Sequence, residues 1–248
     1  MQYHKLKRKI TDLYYRSQFI PNLLSIFINP NYIVRSGLYD SIKKHSSILH
    51  GNILDFGCGR KPYLEVFKNC NKYIGLDIQL EDKFNEHVYA DVYYDGNIIP
   101  FKDNSFDNIV SFDVLQLIEN PDNILSEIKR VLKDEGHLLI TVPFVWIEHW
   151  DDYDFCRYTI KGVEKILLKN GFSIEIKTKT TTYVETILQM FIAFLTYEIF
   201  PSNKKIKLLF VMIFITPLNL IGLFLRIFKN NNSASFYNNS LILAKKNS

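Results

Sequence analysis

Two aspartates and two glycines carry the first sign of chemistry in this chain. The string Asp55-Phe56-Gly57-Cys58-Gly59 closes a short apolar run, Asn52–Phe56, and stands ahead of a segment opening at Pro62. Glycines at a strand-to-helix turn let the backbone bend sharply and let a ligand come close to the main chain. Asp77 lies twenty residues beyond Gly57, at the end of a second run, Lys72–Leu76. A carboxylate there can take both hydroxyls of a ribose. Where a dinucleotide fingerprint would place its third glycine, the chain has Pro62. Asp55, directly before the turn, would repel a pyrophosphate, whereas a ligand carrying an ammonium and a sulfonium would be stabilised by it. S-adenosylmethionine has both cations and a ribose, and no phosphate.

A second cluster runs from Pro143 to Tyr158 and is rich in aromatics and carboxylates. It follows another apolar run, His137–Val142, and in an open α/β sheet ligands sit beyond the carboxyl ends of the strands. This loop is therefore the expected acceptor pocket. His149 is the natural general base, since an imidazole of ordinary pKa ~6.5 suits proton removal near neutrality. Glu148 or Asp154 would orient it or substitute for it. Arg157 would fix an anionic group of the substrate, or simply pair with Asp154 and stabilise the loop. His149 with Asp151, Asp152 and Asp154 shows no diagnostic ligand spacing, so no metal is expected.

The elements that must position these residues alternate between strand and helix. Strands are expected at 52–56, 72–76, around 87–90, at 107–112, 137–142, 172–179 and 240–245. Helices are expected over 38–49, from Pro62 to Lys68, from Pro121 with Asn120 as cap and Gly136 as stop, and from Thr159 to Gly171. Such alternation predicts a doubly wound, Rossmann-like parallel sheet of seven strands.

The strings ILDFGCGRKPY, YIGLDI, ADVYYDGNIIPFKDNSFDNIVSFDVLQLIENPDNILSEIKRVLKDEGHLLITVPF and WIEHWDDYDFCRYT resemble class I S-adenosylmethionine-dependent methyltransferases of the type-11 group, in particular bacterial members. The resemblance covers Gly51 to about Gly171 and the last strand. It implies that Asp55, Phe56, Gly57, Cys58 and Gly59 hold the methionine end of the donor. It further implies that Asp77 binds the ribose and that Ile78 packs on the adenine. Asp91 and Val92 would meet the adenine amino edge, and Ser111, Phe112 and Asp113 would line the methionine side. Two departures stand out. The group's V-L-E-H is Val114-Leu115-Gln116-Leu117 here, and the third glycine of its G-x-G-x-G is Lys61.

Composition bounds the rest. The 248 residues hold 30 Lys and Arg against 26 Asp and Glu, a net charge of +4, too mild to argue for nucleic acid. Hydrophobic residues make up 47% and aromatics 15%, which excludes a disordered chain. Three separated cysteines, Cys58, Cys70 and Cys156, fit a reducing compartment. The basic start MQYHKLKRKI lacks a following cleavage site and is not read as a signal peptide.

Three regions are expected: an N-terminal helical and basic segment (1–35), the catalytic domain (36–182 with 240–248) and an apolar helical insert (183–239). In the insert, Pro217 is expected to break the second apolar block into two helices of about eleven residues, roughly 16 Å each. That is too short to cross a membrane, so the insert is read as a lid, a homodimer face or a peripheral membrane contact through 187–228. The expected function is methyl transfer from S-adenosylmethionine to an oxygen of a small-molecule, glycan-precursor or lipid-linked acceptor. The expected place is the cytoplasm or the inner face of the membrane. The alternative is a non-catalytic donor-binding partner subunit.

Overall fold

The computed structural model describes residues 14–78, 88–148, 153–227 and 235–247. The chain divides into two compact units: Ser41–Lys179 with Asn239–Ser248, and Met1–Asp40 with Thr180–Asn238. The N-terminal segment and the apolar insert thus fall in one unit.

The first unit is a seven-stranded sheet in the order β3-β2-β1-β4-β5-β7-β6. Its strands are β1 (Asn52–Phe56), β2 (Lys72–Ile78), β3 (Val92–Tyr94), β4 (Phe106–Phe112), β5 (Leu132–Pro143), β6 (Phe172–Lys179) and β7 (Asn239–Lys246). The central strands are apolar runs because both their faces are covered; Ile53, Leu54, Ile109 and Val110 are fully buried. The Rossmann-like architecture is as expected, but the sheet is mixed rather than parallel. β7 runs antiparallel between β5 and β6. Chain geometry gives the reason. Lys179, the last residue of β6, pairs with Ser240 at the start of β7, so the chain re-enters beside the point where it left and must run back.

Helices α4 (Pro121–Val131) and α5 (Ile160–Lys169) cover the sheet. On α4, Ile124, Leu125, Ile128 and Val131 form the buried stripe. Asn120 makes no side-chain cap, so Pro121, pre-set in φ, opens the helix without one. Gly136 does not end it: α4 stops at Val131 and the next residues are already strand. Glu135 takes the left-handed turn (φ 64), and a Cβ on Gly136 would meet the Asp107 carbonyl oxygen at 2.7 Å. Thr159 caps α5 by accepting the Gly162 N–H at 3.1 Å, and Gly171 (φ 80) terminates it. The helix expected after Pro62 is a single 3-10 turn, Leu64–Phe67. The third strand lies at Val92–Tyr94; of the segment expected to form it, Val88–Ala90 are irregular and His87 lies outside the described residues.

The second unit is helical. It contains α1 (described over 14–19), α2 (Leu23–Ile28), the first part of α3 (Tyr32–Ser46), α6 (Tyr183–Phe194), α7 (Lys204–Phe210) and α8 (Thr216–Arg226). Wide π-turns extend two of these. Leu195–Ile199 continues α6, and Val211–Ile215 joins α7 to α8. Pro217 therefore does not break the second apolar block: Lys205–Arg226 is one helix of 22 residues. A proline removes one i→i−4 bond and crowds the carbonyl four residues back, here Ile213. That carbonyl lies within the π-turn, whose wider spacing takes up the irregularity.

Polar groups tie this unit together. Thr182 and Glu185 form a reciprocal cap on α6. The same Glu185, fully buried, accepts from Arg226 Nε at 2.6 Å, and Arg226 also donates to Ser36 Oγ at 2.8 Å. Gln189 accepts the Val34 N–H and donates to the Pro30 carbonyl. Removing one partner of a buried ion pair strands the other, which costs about 3–5 kcal/mol. Glu185→Ala is expected to destabilise the helical unit by that amount, read as a lowered urea midpoint of the helical circular-dichroism signal.

Candidate functional site

The site is built at the carboxyl ends of β1, β2 and β4. β1 pairs with β2 on one side and with β4 on the other, with Asp55 opposite Gly75 and Val110. The chain then turns at Gly57 (φ 72) and Gly59 (φ 49). The N–H groups of Gly57 and Cys58 both donate to the Leu76 carbonyl, at 2.9 and 3.1 Å, which fastens the turn to β2. A side chain at Gly57 would strike Val114, with a Cβ–Cγ2 distance of 2.4 Å. At Gly59 a Cβ would meet none of the described residues within 4 Å. The turn is thus packed behind Gly57 and open above Gly59, the shape a ligand approaching the main chain requires.

Two carboxyls flank that opening. Asp55 is buried and accepts from the Tyr73 hydroxyl at 2.8 Å. Burial pushes its pKa up to about 7; the Tyr73 bond opposes this and the neighbouring Asp77 charge reinforces it. Asp77 accepts the Gly59 N–H (2.7 Å) on one oxygen and the Ile78 N–H (2.8 Å) on the other. Its pKa is also raised by burial, against those two bonds. The Cys58 thiol, buried beside both carboxyls, is pushed far up and stays protonated. It is a filler of space, not a nucleophile.

Lys61 stands where the G-x-G-x-G pattern has its third glycine, and it keeps the glycine conformation (φ 51). Its side chain crosses β2, where a Cβ on Gly75 would lie 2.3 Å from Lys61 Cε, and ends on Asp91 at 2.5 Å. Asp91 also accepts the Gly75 N–H at 2.8 Å. Burial works against its charge, but Lys61 and that N–H outweigh it and hold the carboxyl below the ordinary range. Asp91 is therefore a strut between β2 and the glycine turn. Val92, which follows it, packs against the core at the start of β3.

On the other flank, Ser111 is buried and the Phe112 ring packs edge-on against Tyr63 at 5.0 Å. Asp113 takes a left-handed turn (φ 57). Its carboxyl accepts from Thr141 Oγ1 on β5 and Asn239 Nδ2 on β7, each at 2.9 Å. Gln116 is buried; its Nε2 donates to the Asp113 carbonyl, and its own carbonyl accepts the N–H groups of Phe155 and Cys156. The residue that departs from the V-L-E-H pattern thus anchors the Pro143–Tyr158 loop. Its Oε1 has no hydrogen-bond partner among the described residues.

In that loop Arg157 grips Asp154 through both terminal nitrogens and donates to the carbonyls of Ile147 and Cys156 at 2.9 Å each. The guanidinium is spent on the loop itself. Glu148 is exposed, and His149 with Trp150, Asp151 and Asp152 lies outside the described residues. Among the described residues no cluster of three His, Cys, Asp or Glu side chains could hold a metal ion. Tyr73, Thr141 and Asn239 were not readable as site residues: each belongs to a strand interior or end, and only the tertiary pairing aims it at Asp55 or Asp113.

Comparison with known proteins agrees with this geometry. Residues 54–140 match the family model described as methyltransferase domain. Curated relatives include two uncharacterized proteins of Methanocaldococcus jannaschii. MJ1252 is 32% identical over 144 residues (53% of this chain, 55% of that protein), and MJ0638 is 26% identical over 142 residues (54% and 61%). The matched stretch thus spans little more than half the length of these relatives. Among solved structures, the [4+2]-cyclase SpnF is similar with a TM-score of 0.52 (20% identity, 85% of this chain, 80% of that one). Phosphoethanolamine N-methyltransferase 2 of Haemonchus contortus, in complex with S-adenosyl-L-methionine, also gives 0.52 (22%, 85% and 52%). Geranyl diphosphate methyltransferase in complex with the same ligand gives 0.53 (13%, 87% and 90%).

The buried Asp55 fixes a pH signature. Its folded-state pKa of about 7 lies above the ordinary 3.8. The stability it contributes is therefore fully present below about pH 4 and lost as pH rises through about 7. Asp55→Asn keeps the volume and removes the buried charge. Above about pH 8 it is expected to raise the melting temperature of the unliganded protein over wild type, with the gap narrowing as pH falls below about 7 and closing near pH 4. Thermal scans of both proteins at several pH values check this.

Proposed function

We propose that this chain, whose Rossmann-like unit is a class I methyltransferase domain, binds S-adenosylmethionine and methylates an oxygen of a small-molecule, glycan-precursor or lipid-linked acceptor. The observation that carries the reading is the pair of carboxyls, the buried Asp55 and the half-buried Asp77, at a glycine turn that is open above Gly59 among the described residues. Burying Asp55 is costly, and a cationic ligand offsets that cost where a pyrophosphate would add to it. The fold also serves a cyclase, so methyl transfer rests on the site and not on the fold.

The residues present fit the donor. Asp77 would hold the ribose hydroxyls with the lone pairs its backbone bonds leave over, and Asp55 would face the cationic methionine end. Ile78 and Val92 would pack near the base, and Asp113, fixed from β5 and β7, would line the methionine side. Bound there, S-adenosylmethionine would supply a methyl group already activated by its sulfonium. The chain's own task is then largely to hold the acceptor atom ~3–3.5 Å from that carbon.

A hydroxyl acceptor brings a proton that must leave as the new bond forms. His149 is assigned that proton, with Glu148 as its partner or substitute. Asp154 and Arg157 act one step back. Their clamp on the carbonyls of Ile147 and Cys156, with the Gln116 anchor, sets the path of the loop that carries the base.

Two measurements test the reading. Asp77→Ala removes an ionised acceptor, and hydrogen bonds to charged groups contribute about 1.5–3 kcal/mol each. Calorimetry is expected to show donor affinity lower by about 10–100-fold, and unchanged affinity would sink the ribose assignment. With labelled donor and a lipid extract as acceptor pool, His149→Ala is expected to lose about 10²–10⁴-fold in kcat with donor affinity intact. Full activity in that variant would remove the imidazole from the mechanism.

A further inference from the structure

The helical unit buries many polar residues beside a small apolar core of Ile33, Ile192, Phe200, Val211 and Ile215. Its buried positions include Ser25, Asn29, Glu185, Gln189, Thr196 and Asn219, and polar residues are as common there as apolar ones among the described residues. Glu185 and Gln189 have the partners described above. Asn219 donates to the carbonyls of Ile26 (2.8 Å) and Asn29 (3.2 Å), and Thr196 donates to Ile192 (2.7 Å). Outside, the unit is greasy. Ile187, Phe191, Phe194, Ile213, Phe214 and Phe224 are each between 49% and 60% exposed. The 22-residue helix Lys205–Arg226 has only 28% of its most apolar stretch buried. A unit folded for water hides such side chains and shows its polar ones.

Length and charge say what covers this surface. At 1.5 Å per residue the long helix measures about 33 Å, against a hydrocarbon core of about 30 Å. No acidic residue occurs between Phe200 and Asn230; in sequence, Lys204, Lys205 and Lys207 precede the apolar stretch, and Arg226, whose guanidinium is held by Glu185 and Ser36, and Lys229 follow it. Lys207 sits over the Tyr197 ring at 5.3 Å, an ammonium and an amphipathic aromatic at the same end of the helical pair. Cations and tyrosines at the ends of an uncharged stretch match the head-group zones of a bilayer.

We propose that the helical unit seats in a phospholipid bilayer with anionic head groups. The exposed faces of α6 and the Lys205–Arg226 helix lie in the hydrocarbon, and the basic end at Lys205 and Lys207 lies among the phosphates. The paired helices α6 and α7–α8 bring the chain back to the side from which it left, so β7 can join the sheet. Buried polar side chains then hold the helices together, as they do where surrounding hydrocarbon offers no hydrophobic drive for helix packing. A second copy of the chain is the rival cover. It accounts less well for apolar side chains on α2 (Leu23, Phe27), α6 and α8 at once, since a two-fold interface covers one patch.

The proposal does not depend on methyl transfer, and its test uses no donor. The full chain is floated with phosphatidylcholine vesicles, with and without phosphatidylglycerol. Wild type is expected to rise with the vesicles, more so when phosphatidylglycerol is present. Ile213→Asp with Phe224→Asp places charges at exposed positions, so the circular-dichroism spectrum is expected to be unchanged while the floated fraction falls at least tenfold. Lys205→Gln with Lys207→Gln is expected to abolish the preference for phosphatidylglycerol. Wild type remaining with the unbound fraction would overturn the proposal, as would equal flotation of the double aspartate variant. So would a discrete dimer in detergent-free buffer that Phe224→Asp dissociates, which would assign the face to a second copy.

Discussion

A carboxyl buried at the end of a central strand is the constraint around which the glycine turn and its neighbours are arranged. Asp55 lies between Gly75 on β2 and Val110 on β4, with the Tyr73 hydroxyl as its side-chain hydrogen bond. Leaving water costs such a group several kcal/mol unless it is paired or protonated. Its raised pKa expresses that cost. The surroundings are organised to keep the position small and closed. Gly75 has no side chain because Lys61 and Cys58 occupy the space a Cβ would need. Lys61 in turn holds a glycine-like backbone and is tied down by Asp91, itself bonded to Gly75. A glycine, a left-handed lysine and an ion pair thus lie together around the buried carboxyl. A protein that needed only stability would have placed an apolar residue at 55.

Much of this was legible in the chain, for a specific reason. The strand-turn-strand string from Asn52 to Asp77 concentrates its signals locally: an apolar run, two glycines and two aspartates. β1 and β6 fall where the apolar pattern puts them, and the Thr159 and Gly171 boundaries of α5 hold because caps are local chemistry. What failed was non-local. The direction of β7 depends on where the chain re-enters the sheet, which no pattern within Ser240–Lys245 records. The Lys61–Asp91 pair was not readable either, because the two residues meet only through tertiary folding. Pro217 looked like a helix break because proline usually is one. The π-turn that absorbs it has no sequence signature, since it is set by the packing of the whole helix.

The near-zero mean hydropathy of the chain, −0.04, averages two different ways of sorting residues. In the Rossmann-like unit the largest apolar side chains are inside. In the helical unit many large apolar side chains are exposed, and hydrogen-bonded polar ones share the interior with a small apolar core. The helical unit is made of the N-terminal segment and of an insert between the two strands of a single hairpin. The chain leaves the sheet at Lys179 and returns at Asn239, next to its point of departure, so the sheet is closed whatever lies between. The return is not neutral for the site, however. Asn239, the first residue of β7, donates to the carboxyl of Asp113, which Thr141 holds from β5. The residue that ends the helical excursion is therefore one of two whose side chains hold the Asp113 carboxyl.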